Sequence, residues 1–387
     1  MKKLVILCLL PLSLSACFEE SEDNVASYSG AAITLVSSDY SSSDIGLIDE
    51  SFALTESIFP QAFSDIALSK GKESLYLINR YGQNNIIKFD EASVGEPVWQ
   101  YSTQGTIENQ NSNPYSLIEA NGSNAYVLRY GTGEIWQVDT SAELESEFKL
   151  AEIDLSNFDE DGIPDMDGGV IHNDILYVIL QRQTYFQANE VGLLIGVDTQ
   201  TNTLVDLDPN SESNALTLKT ANPSGLQVVG DELFITSWGK NAEKDYDNWP
   251  EVNITEPPAY NGGIEIVDLS TLTSELAIDD GTNFLPYGQI HESDFYDDHF
   301  VIRGFDYLTS TSNVYIQIGE STPFVLDETL EGLDIHFSQF DAEGNVWVSI
   351  GGTSDHHIRI YSLNQNDEYE VIETIQTSLM PTGIVFN

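Results

Sequence analysis

One unit recurs along most of this chain of 387 residues. It consists of a lead-in with proline or small residues, an apolar strand, a tight polar turn and a second strand that carries an aromatic residue. Six copies align on this pattern, beginning at Asp65, Asn113, Asp165, Asn222, Leu285 and Leu333. Helical periodicity is nearly absent, and short runs of Val, Ile, Leu, Tyr and Phe are broken by Gly, Asn and Asp. The pattern predicts a repeated array of short antiparallel strands.

The aromatic residue of the second strand measures the length of the repeat. It occurs at Tyr76, Tyr126, Tyr177, Phe234, Phe300 and Trp347, so successive copies are 47 to 66 residues apart. A third strand often follows and ends in aspartate, as at Asp90, Asp139, Asp198 and Asp268. Several short strands within about 40 to 50 residues are typical of one blade of a β-propeller.

Each end of the chain holds part of one further unit. Met380 to Phe386 reads as a lead-in and first strand, and Ala32 to Asp49 reads as later strands without a first one. Joining them would complete a seventh blade, close the ring and leave no free sheet edge. The sequence therefore predicts an all-β fold over residues 32–387, a seven-bladed β-propeller of four-stranded antiparallel blades closed by the two terminal strands.

Two segments resemble a known repeat family. They read "LYLINRYGQNNIIKFD" from Leu75 and "AYVLRYGTGEIWQVD" from Ala125, and both are similar to the Tyr-Val-Thr-Asn (YVTN) type of seven-bladed propeller repeat. The resemblance implies the fold. It says little about activity, because such propellers serve as binding platforms, lactonases and electron-transfer subunits.

The N-terminal residues predict export and a lipid anchor. Two lysines precede the apolar run Leu4 to Leu12, which is too short to span a bilayer and is typical of a secretory signal over residues 1–16. The run closes on "LSAC", which resembles a bacterial lipobox and implies lipidation of Cys17. Phe18 follows where an inner-membrane lipoprotein often has Asp, so the resemblance implies an outer-membrane lipoprotein. The alternative is an ordinary signal with a chance cysteine.

Residues 17–31 and the charge of the chain limit its partners. The segment is acidic and rich in small residues, which predicts a flexible tether. The chain has 63 acidic and 14 basic residues, a formal net charge of −49. Such a charge disfavours nucleic acid and anionic membrane surfaces as partners, so contact with the membrane is expected only through the lipid. We expect a monomer.

Four of the five arginines follow the second strand in different copies of the repeat. In a propeller these positions share one face with the lead-ins, around the mouth of the channel. The predicted ligand-binding residues on that face are Arg80, Tyr81, Arg129, Tyr130, Arg182, Trp238, Trp249 and Arg303. Arginine binds carboxylates and phosphates and stacks on rings, which favours an anionic or aromatic ligand. The alternative is that each arginine pairs with a neighbouring acid and braces a loop.

The stretch "NFDEDGIPDMDGG" resembles the start of EF-hand-like and thrombospondin-type calcium loops. Its predicted calcium ligands are Asn157, Asp159, Asp161, Asp165 and Asp167. Alternating carboxylates place hard oxygens on one side of a tight turn, and Gly162 permits the turn. The chain departs from an EF-hand, because Gly168 stands where the bidentate glutamate is needed. The alternative is an acidic turn that leads into the fourth blade.

The remaining signals leave three functions open. His291 and His336 fall on predicted inner strands, where they either line the channel or are satisfied within the core. The leading interpretation is a non-catalytic platform that binds an anionic or siderophore-like ligand, or a partner envelope protein. The second is a metal-dependent hydrolase of lactonase type that uses channel acids, and the third is a scaffold without a small ligand.

Overall fold

The computed structural model describes residues 26–106, 111–184, 187–188, 190–211, 213–241, 243–245, 253–256, 259–280, 287–306, 311–352, 354–365 and 368–387. Seven four-stranded antiparallel sheets form the blades of a ring. The predicted seven-bladed β-propeller is therefore confirmed. The predicted signal segment, Cys17 and the rest of the predicted tether up to residue 25 lie outside the described residues. The end of that tether is a correction: Tyr28 is buried and donates its hydroxyl to the Val385 carbonyl at 3.0 Å, and the first strand begins at Ala31, so this end packs on the propeller.

The strands follow one another blade by blade, and within each blade the chain runs outward from the channel. Blade 1 begins with β1 (Ala31–Val36), β2 (Ser43–Ile48) and β3 (Leu54–Thr55). Blade 2 contains β4 (Ile66–Lys70), β5 (Ser74–Asn79), β6 (Asn85–Asp90) and β7 (Pro97–Ser102), and blade 3 contains β8 (Pro114–Glu119), β9 (Asn124–Arg129), β10 (Glu134–Asp139) and β11 (Lys149–Asp154). Blade 4 contains β12 (Met166–His172) and β13 (Ile175–Leu180), then the small ribbon β14 (Gln183–Thr184) and β15 (Gln187–Ala188), then β16 (Val191–Asp198), β17 (Thr203–Val205) and the additional strand β18 (Leu216–Ala221).

The second half of the ring repeats this order. Blade 5 contains β19 (Pro223–Val229) and β20 (Glu232–Ser237), then the ribbon β21 (Glu243–Asp245) and β22 (Asn253–Glu256), then β23 (Gly263–Asp268) and β24 (Thr273–Asp279). Blade 6 contains β25 (Gln289–Tyr296), β26 (His299–Asp306), β27 (Thr311–Ile318) and β28 (Phe324–Val325), and blade 7 contains β29 (Ser338–Phe340), β30 (Val346–Ile350), β31 (His357–Leu363) and β32 (Tyr369–Gln376). The last strand, β33 (Met380–Phe386), completes blade 1. Short helical turns lie at Glu91–Ser93, Glu145–Phe148 (α1), Ser156–Phe158 and Glu328–Leu330.

The ring closes through the pairing of β33 with β1. The two strands run antiparallel, with Ile384 opposite Ile33, and β33 becomes the innermost strand of blade 1. All six residues of β1 are buried. The first and last strands therefore form the closed blade that the two incomplete sequence units predicted.

The aromatic residues of the second strands join neighbouring blades. Tyr76 in blade 2 is fully buried and donates its hydroxyl to Glu119 Oε1 in blade 3, at 2.6 Å. Tyr126 in blade 3 is also fully buried and donates to Asn202 Oδ1 in blade 4, at 2.8 Å. Burying such a ring contributes about 2 to 3 kcal/mol of transfer free energy, and the hydroxyl bond sets its orientation.

The aspartates that end the third strands stabilise the turns that follow. Asp139 Oδ1 accepts from the backbone N–H and the hydroxyl of Ser141, and Asp268 Oδ1 does the same with Ser270. These bonds satisfy the first amides beyond the strand and begin the turn to the outer strand. Among the described residues, no helix is long and apolar enough to cross a bilayer.

Candidate functional site

The seven inner strands surround a cavity of about 820 Å³, whose lining includes residues at the face of the lead-ins. Every blade contributes at least one side chain from its innermost strand. These residues, in the order of blades 1 to 7, are Thr382, Ala67, Tyr115, Asp167, Ser224, His291 and Gln339. The candidate site is therefore the central channel.

A β-bulge near the start of the inner strand presents five of these seven side chains. In blade 3 Pro114 pairs with Arg129 and Ser116 pairs with Leu128, so Tyr115 has no residue opposite it. The same irregularity leaves one residue unpaired in four other blades, namely Asp167, Ser224, His291 and Thr382. A bulge bends the strand and redirects the extra side chain, and bulges are frequent next to binding sites. We call Tyr115, Asp167, Ser224, His291 and Thr382 the bulge ring.

Left-handed residues turn the chain into these inner strands. Asn113, Asp165 and Asn222 have φ angles of +43°, +55° and +58°, a region that Asn and Asp tolerate better than other residues with a side chain. The carbonyl of each accepts an N–H from the residue that follows the second strand, and the three donors are Tyr130, Gln181 and Trp238. These three hydrogen bonds hold Tyr130, Gln181 and Trp238 at the mouth of the channel.

One wall of the mouth is a stack that begins at an arginine. The Arg80 guanidinium lies 5.0 Å from the centre of the Tyr115 ring, and Tyr115 stacks on Tyr130 at 4.3 Å. Tyr130 donates its hydroxyl to Gln181 Oε1 at 2.9 Å, and Gln181 Nε2 donates to Asp167 Oδ1 at 3.2 Å. A network connected in this way holds the rings in one orientation.

The wall formed by blades 5 and 6 is a second stack. The His291 ring lies between Trp238, at 4.5 Å, and Phe305, at 5.2 Å, and both pairs are nearly parallel. Trp238 Nε1 donates to the His291 carbonyl at 2.8 Å, which fixes the indole against the bulge. Blade 3 and blade 6 are three places apart in a ring of seven, so the two stacks stand on opposite sides of the channel.

Carboxylates on the side of blade 7 are already bonded to the protein. Glu292 Oε2 accepts from Arg303 Nε at 3.3 Å and from the Ser338 N–H at 2.6 Å. Asp294 accepts from the backbone N–H groups of Phe295 and Phe340, at 2.9 and 2.8 Å. These acids connect the inner strand of blade 6 to blade 7.

Burial changes the charge of the channel. It raises the pKa of Asp294 to about 6, against the two backbone N–H groups that favour the ionised form. Burial also raises the pKa of Asp167 to about 7, although Arg80 acts in the opposite direction. Burial and the positive charge of Arg303 lower the pKa of His291 to about 3, so this imidazole is neutral near pH 7. Near neutral pH the channel therefore carries less negative charge than the number of its carboxyl groups suggests.

The cavity is lined by four of the eight predicted ligand-binding residues, namely Arg80, Tyr130, Trp238 and Arg303. Tyr81 is 69% exposed and does not line the cavity. Arg182 pairs with Glu190 at 2.7 Å and lies outside the lining. Trp249 lies outside the described residues.

Arg129 is a correction to the predicted arginine cluster. Its side chain is 1% exposed, donates to the Thr103 carbonyl at 3.0 Å and to Glu134 Oε2 at 3.1 Å, and lies over the Trp136 ring. The second strand alternates its side chains between two faces, and position 129 points into the blade rather than over the channel. Each of the four arginines forms an ion pair with a different acidic residue, as the alternative interpretation required. Of these four, Arg80 and Arg303 also line the cavity.

The predicted calcium ligands do not share one position. Asp167 lines the channel, whereas Asp165 is buried and accepts the Gln183 N–H at 2.7 Å. Asp161 is exposed and accepts the Ile163 N–H at 2.8 Å. Within the described ranges, no three His, Cys, Asp or Glu side chains are arranged so that they could hold a metal ion.

The bulge ring was not predicted as a set, although the sequence carries a signal for it. Four of its members are the third residue of their lead-ins, in "NPY", "DMD", "NPS" and "MPT". Asp167 was predicted as a calcium ligand, and His291 was expected either to line the channel, as it does, or to be satisfied within the core. The bulge lies at the second or third residue of its strand, so too few residues precede it for the break in apolar alternation to show in the sequence.

Comparison with known proteins supports the fold. No family model and no curated protein matches the sequence. Two solved structures have TM-scores of 0.58: a candidate 6-phosphogluconolactonase from Bacteroides uniformis (11% identity, 92% of this chain and 99% of that one) and a protein from Lactobacillus plantarum (13%, 93% and 99%). Virginiamycin B lyase from Staphylococcus aureus is similar at a TM-score of 0.51 (13%, 83% and 92%). At such identities the similarity shows the propeller fold alone.

We predict that Arg129 stabilises the fold and does not contribute to binding. Arg129→Met removes both hydrogen bonds and leaves Glu134 without its buried partner, so the free energy of unfolding should fall by about 2 to 4 kcal/mol. Urea unfolding measures the change. Lys149→Met is the matched control, because Lys149 lies over the same Trp136 ring but is 36% exposed, and it should cost less than about 1 kcal/mol. Equal losses in both variants would contradict the assignment.

Proposed function

We propose that the protein is a non-catalytic binding platform and that its ligand is a small planar anion held at the mouth of the channel. The observation that carries the proposal is the pair of walls on one cavity. Arg80 lies against the Tyr115–Tyr130 stack, and Arg303 lies beside the Trp238–His291 stack. A flat ring at the mouth gains aromatic contacts with these walls, and a carboxylate gains a guanidinium partner.

The ion pairs of these two arginines leave room for an anion. Arg80 meets Asp65 through Nε at 2.7 Å, and Arg303 meets Glu292 through Nε at 3.3 Å. Neither pair uses the Nη1–Nη2 edge, which can bind a carboxylate through two parallel hydrogen bonds. The guanidinium groups are fixed by their acids before the ligand arrives, so little side-chain entropy is lost on binding.

Binding is favoured over hydrolysis because the channel acids already have structural roles. Glu292 and Asp294 accept backbone N–H groups from blade 7, and Asp167 accepts from Gln181. Carboxylates engaged in this way are held as acceptors. Release of product from a lactone in the presence of divalent metal ions would favour the hydrolase.

The Arg303 guanidinium at the mouth should contribute directly to the binding of an anion. Arg303→Met should weaken the binding of benzoate, a planar probe anion, by about tenfold, because one charge-assisted hydrogen bond is lost. Isothermal titration calorimetry measures the affinity. Arg359→Met is the matched control, since Arg359, in β31 of blade 7, pairs with Asp327 and does not line the cavity. Equal affinity for the two variants would contradict the proposal.

The affinity should also depend on pH in one direction. The pKa values of Asp167, about 7, and Asp294, about 6, mean that both carboxyls take up protons as the pH falls from about 8 to about 5.5. Their protonation removes negative charge from the channel, while benzoate stays ionised. Benzoate should therefore bind about tenfold more tightly at the lower pH, and Asp167→Asn should flatten the upper part of the curve. Tighter binding at high pH would rule out this account of the charge.

We also propose a divalent cation at the acidic loop, because its carboxylates repel one another. Burial, followed by the charges of Asp161 and Asp159, raises the pKa of Asp165 to about 7, although the Gln183 N–H acts in the opposite direction. Calcium would relieve this repulsion after the loop tightens around it. Calcium should raise the melting temperature of the wild type by several degrees and that of Asp159→Asn by less. An unchanged melting temperature of the wild type would end the proposal.

The lipid anchor remains part of the proposed function. It would hold the propeller at the outer membrane through Cys17 and a tether of small acidic residues. Fractionation of cells that express the full chain tests it, because Cys17→Ser should move the protein from the membrane fraction to the soluble fraction. Wild-type protein in the soluble fraction would argue for an ordinary secretory signal.

A further inference from the structure

The cleft between blades 5 and 6 forms one side of the cavity. Blade 5 contributes Ser224, Gly225 and Thr236, and blade 6 contributes His291 and Ser293. The hydroxyl groups of Thr236 and Ser293 are hydrogen-bonded at 2.5 Å and join the two blades across the cleft. A methyl group at Gly225 would meet only Thr236, at 3.6 Å, so the wall of the cleft is not tightly packed at this glycine.

Two neighbouring members of the bulge ring carry polar atoms that the protein does not satisfy. Ser224 Oγ and His291 Nε2 are buried, and neither has a hydrogen-bond partner within the part of the chain that the structure describes. Other ring members differ: Asp167 accepts from Gln181, and Thr382 lies 2.9 Å from Thr34 Oγ1. Buried polar atoms without partners are rare in folded proteins and need a partner from water or a ligand.

The His291 imidazole is held in place and available. Trp238 and Phe305 stack on its two faces, so the ring cannot rotate away from the cleft. His291 is the bulged residue of β25, and it lies opposite the peptide bond between Arg303 and Gly304 of β26. Its ring therefore stands beside the guanidinium proposed to bind the anion.

We propose that Ser224 Oγ and His291 Nε2 form a subsite for a hydroxyl group on the ligand, which makes hydroxylated aryl carboxylates the preferred ligand class. This inference rests on the proposed function. The carboxylate binds at Arg303, the ring lies between the walls, and the hydroxyl hydrogen-bonds to Ser224 and His291. A site built to hydrogen-bond a hydroxyl discriminates strongly against an analogue that lacks it, because its buried groups are then left unpaired.

Three related probes test the subsite by calorimetry on the full chain. They are 4-hydroxybenzoate, benzoate, which lacks the hydroxyl, and 4-methoxybenzoate, which cannot donate a hydrogen bond. The wild type should bind 4-hydroxybenzoate about tenfold more tightly than either of the others.

The variants assign this preference to the two residues. His291→Phe keeps an aromatic ring between Trp238 and Phe305 and removes the nitrogen, and Ser224→Ala removes only the hydroxyl. Each should reduce the tenfold preference to about threefold or less, and Ser224→Ala, which changes neither wall, should leave the affinity for benzoate unchanged. Ser116→Ala is the matched control, because Ser116 Oγ is also buried without a partner but does not line the cavity, and it should keep the full preference.

The outcomes separate this inference from the proposed function. If benzoate binds in an Arg303-dependent way but the hydroxyl adds nothing, or its preference survives in both variants, the subsite is overturned and the anion site stands. If no probe binds the wild type, both fail. Melting temperatures of the variants show that they are folded, and Ser224→Ala decides the matter if His291→Phe does not fold.

Discussion

The pairing of β33 with β1 is the contact on which the rest of this structure depends. It joins the last strand to the first, with Ile384 opposite Ile33, and so turns an open array of sheets into a closed ring. Closure removes the free edges between the first and last blades and forces all seven inner strands to face one axis. Without it there would be no channel, and the residues of the bulge ring would stand on separate surfaces.

The ring also explains why the site is built from bulges. Regular inner strands direct their side chains into the spaces between blades, where they pack against the neighbouring sheet. An extra residue near the start of the strand breaks this alternation and presents one side chain to the channel without loss of the core pairing. The scaffold is constant in five blades, while the presented residue changes from Tyr to Asp, Ser, His and Thr. A binding site can therefore vary at these positions at little cost to the fold.

Much of the fold could be predicted from the sequence, and the site only in part. The repeat, the spacing of its aromatic residues and the incomplete units at both ends predicted seven blades and their closure. The prediction for Arg129 was wrong because it relied on position along the repeat, which places a residue near a face but does not say to which side its side chain points. β5 and β9 end at equivalent positions, but Arg129 is the last residue of β9, whereas Arg80 lies one residue beyond β5, in the position of Tyr130, and its guanidinium reaches the cavity. A difference of one residue reverses the side to which a side chain points, and a pattern of apolar residues alone does not reveal it.

The scarce basic residues are divided between two tasks. Arg129 is enclosed by Thr103, Glu134 and Trp136 and stabilises blade 3, whereas Arg80 and Arg303 combine a local ion pair with a place on the cavity wall. In a chain with a net charge of −49, such pairs keep the guanidinium groups fixed, and the raised pKa values of the buried carboxyls reduce the negative charge around them. Local structure thus provides an anion site that the total charge would not suggest.

The most direct test of this account is a crystal structure of the protein grown with saturating 4-hydroxybenzoate at about pH 6. The account predicts one bound ring between the Tyr115–Tyr130 and Trp238–His291 walls, with its carboxylate on Arg303. A channel that contains only solvent, or a ligand bound elsewhere on the surface, would contradict it.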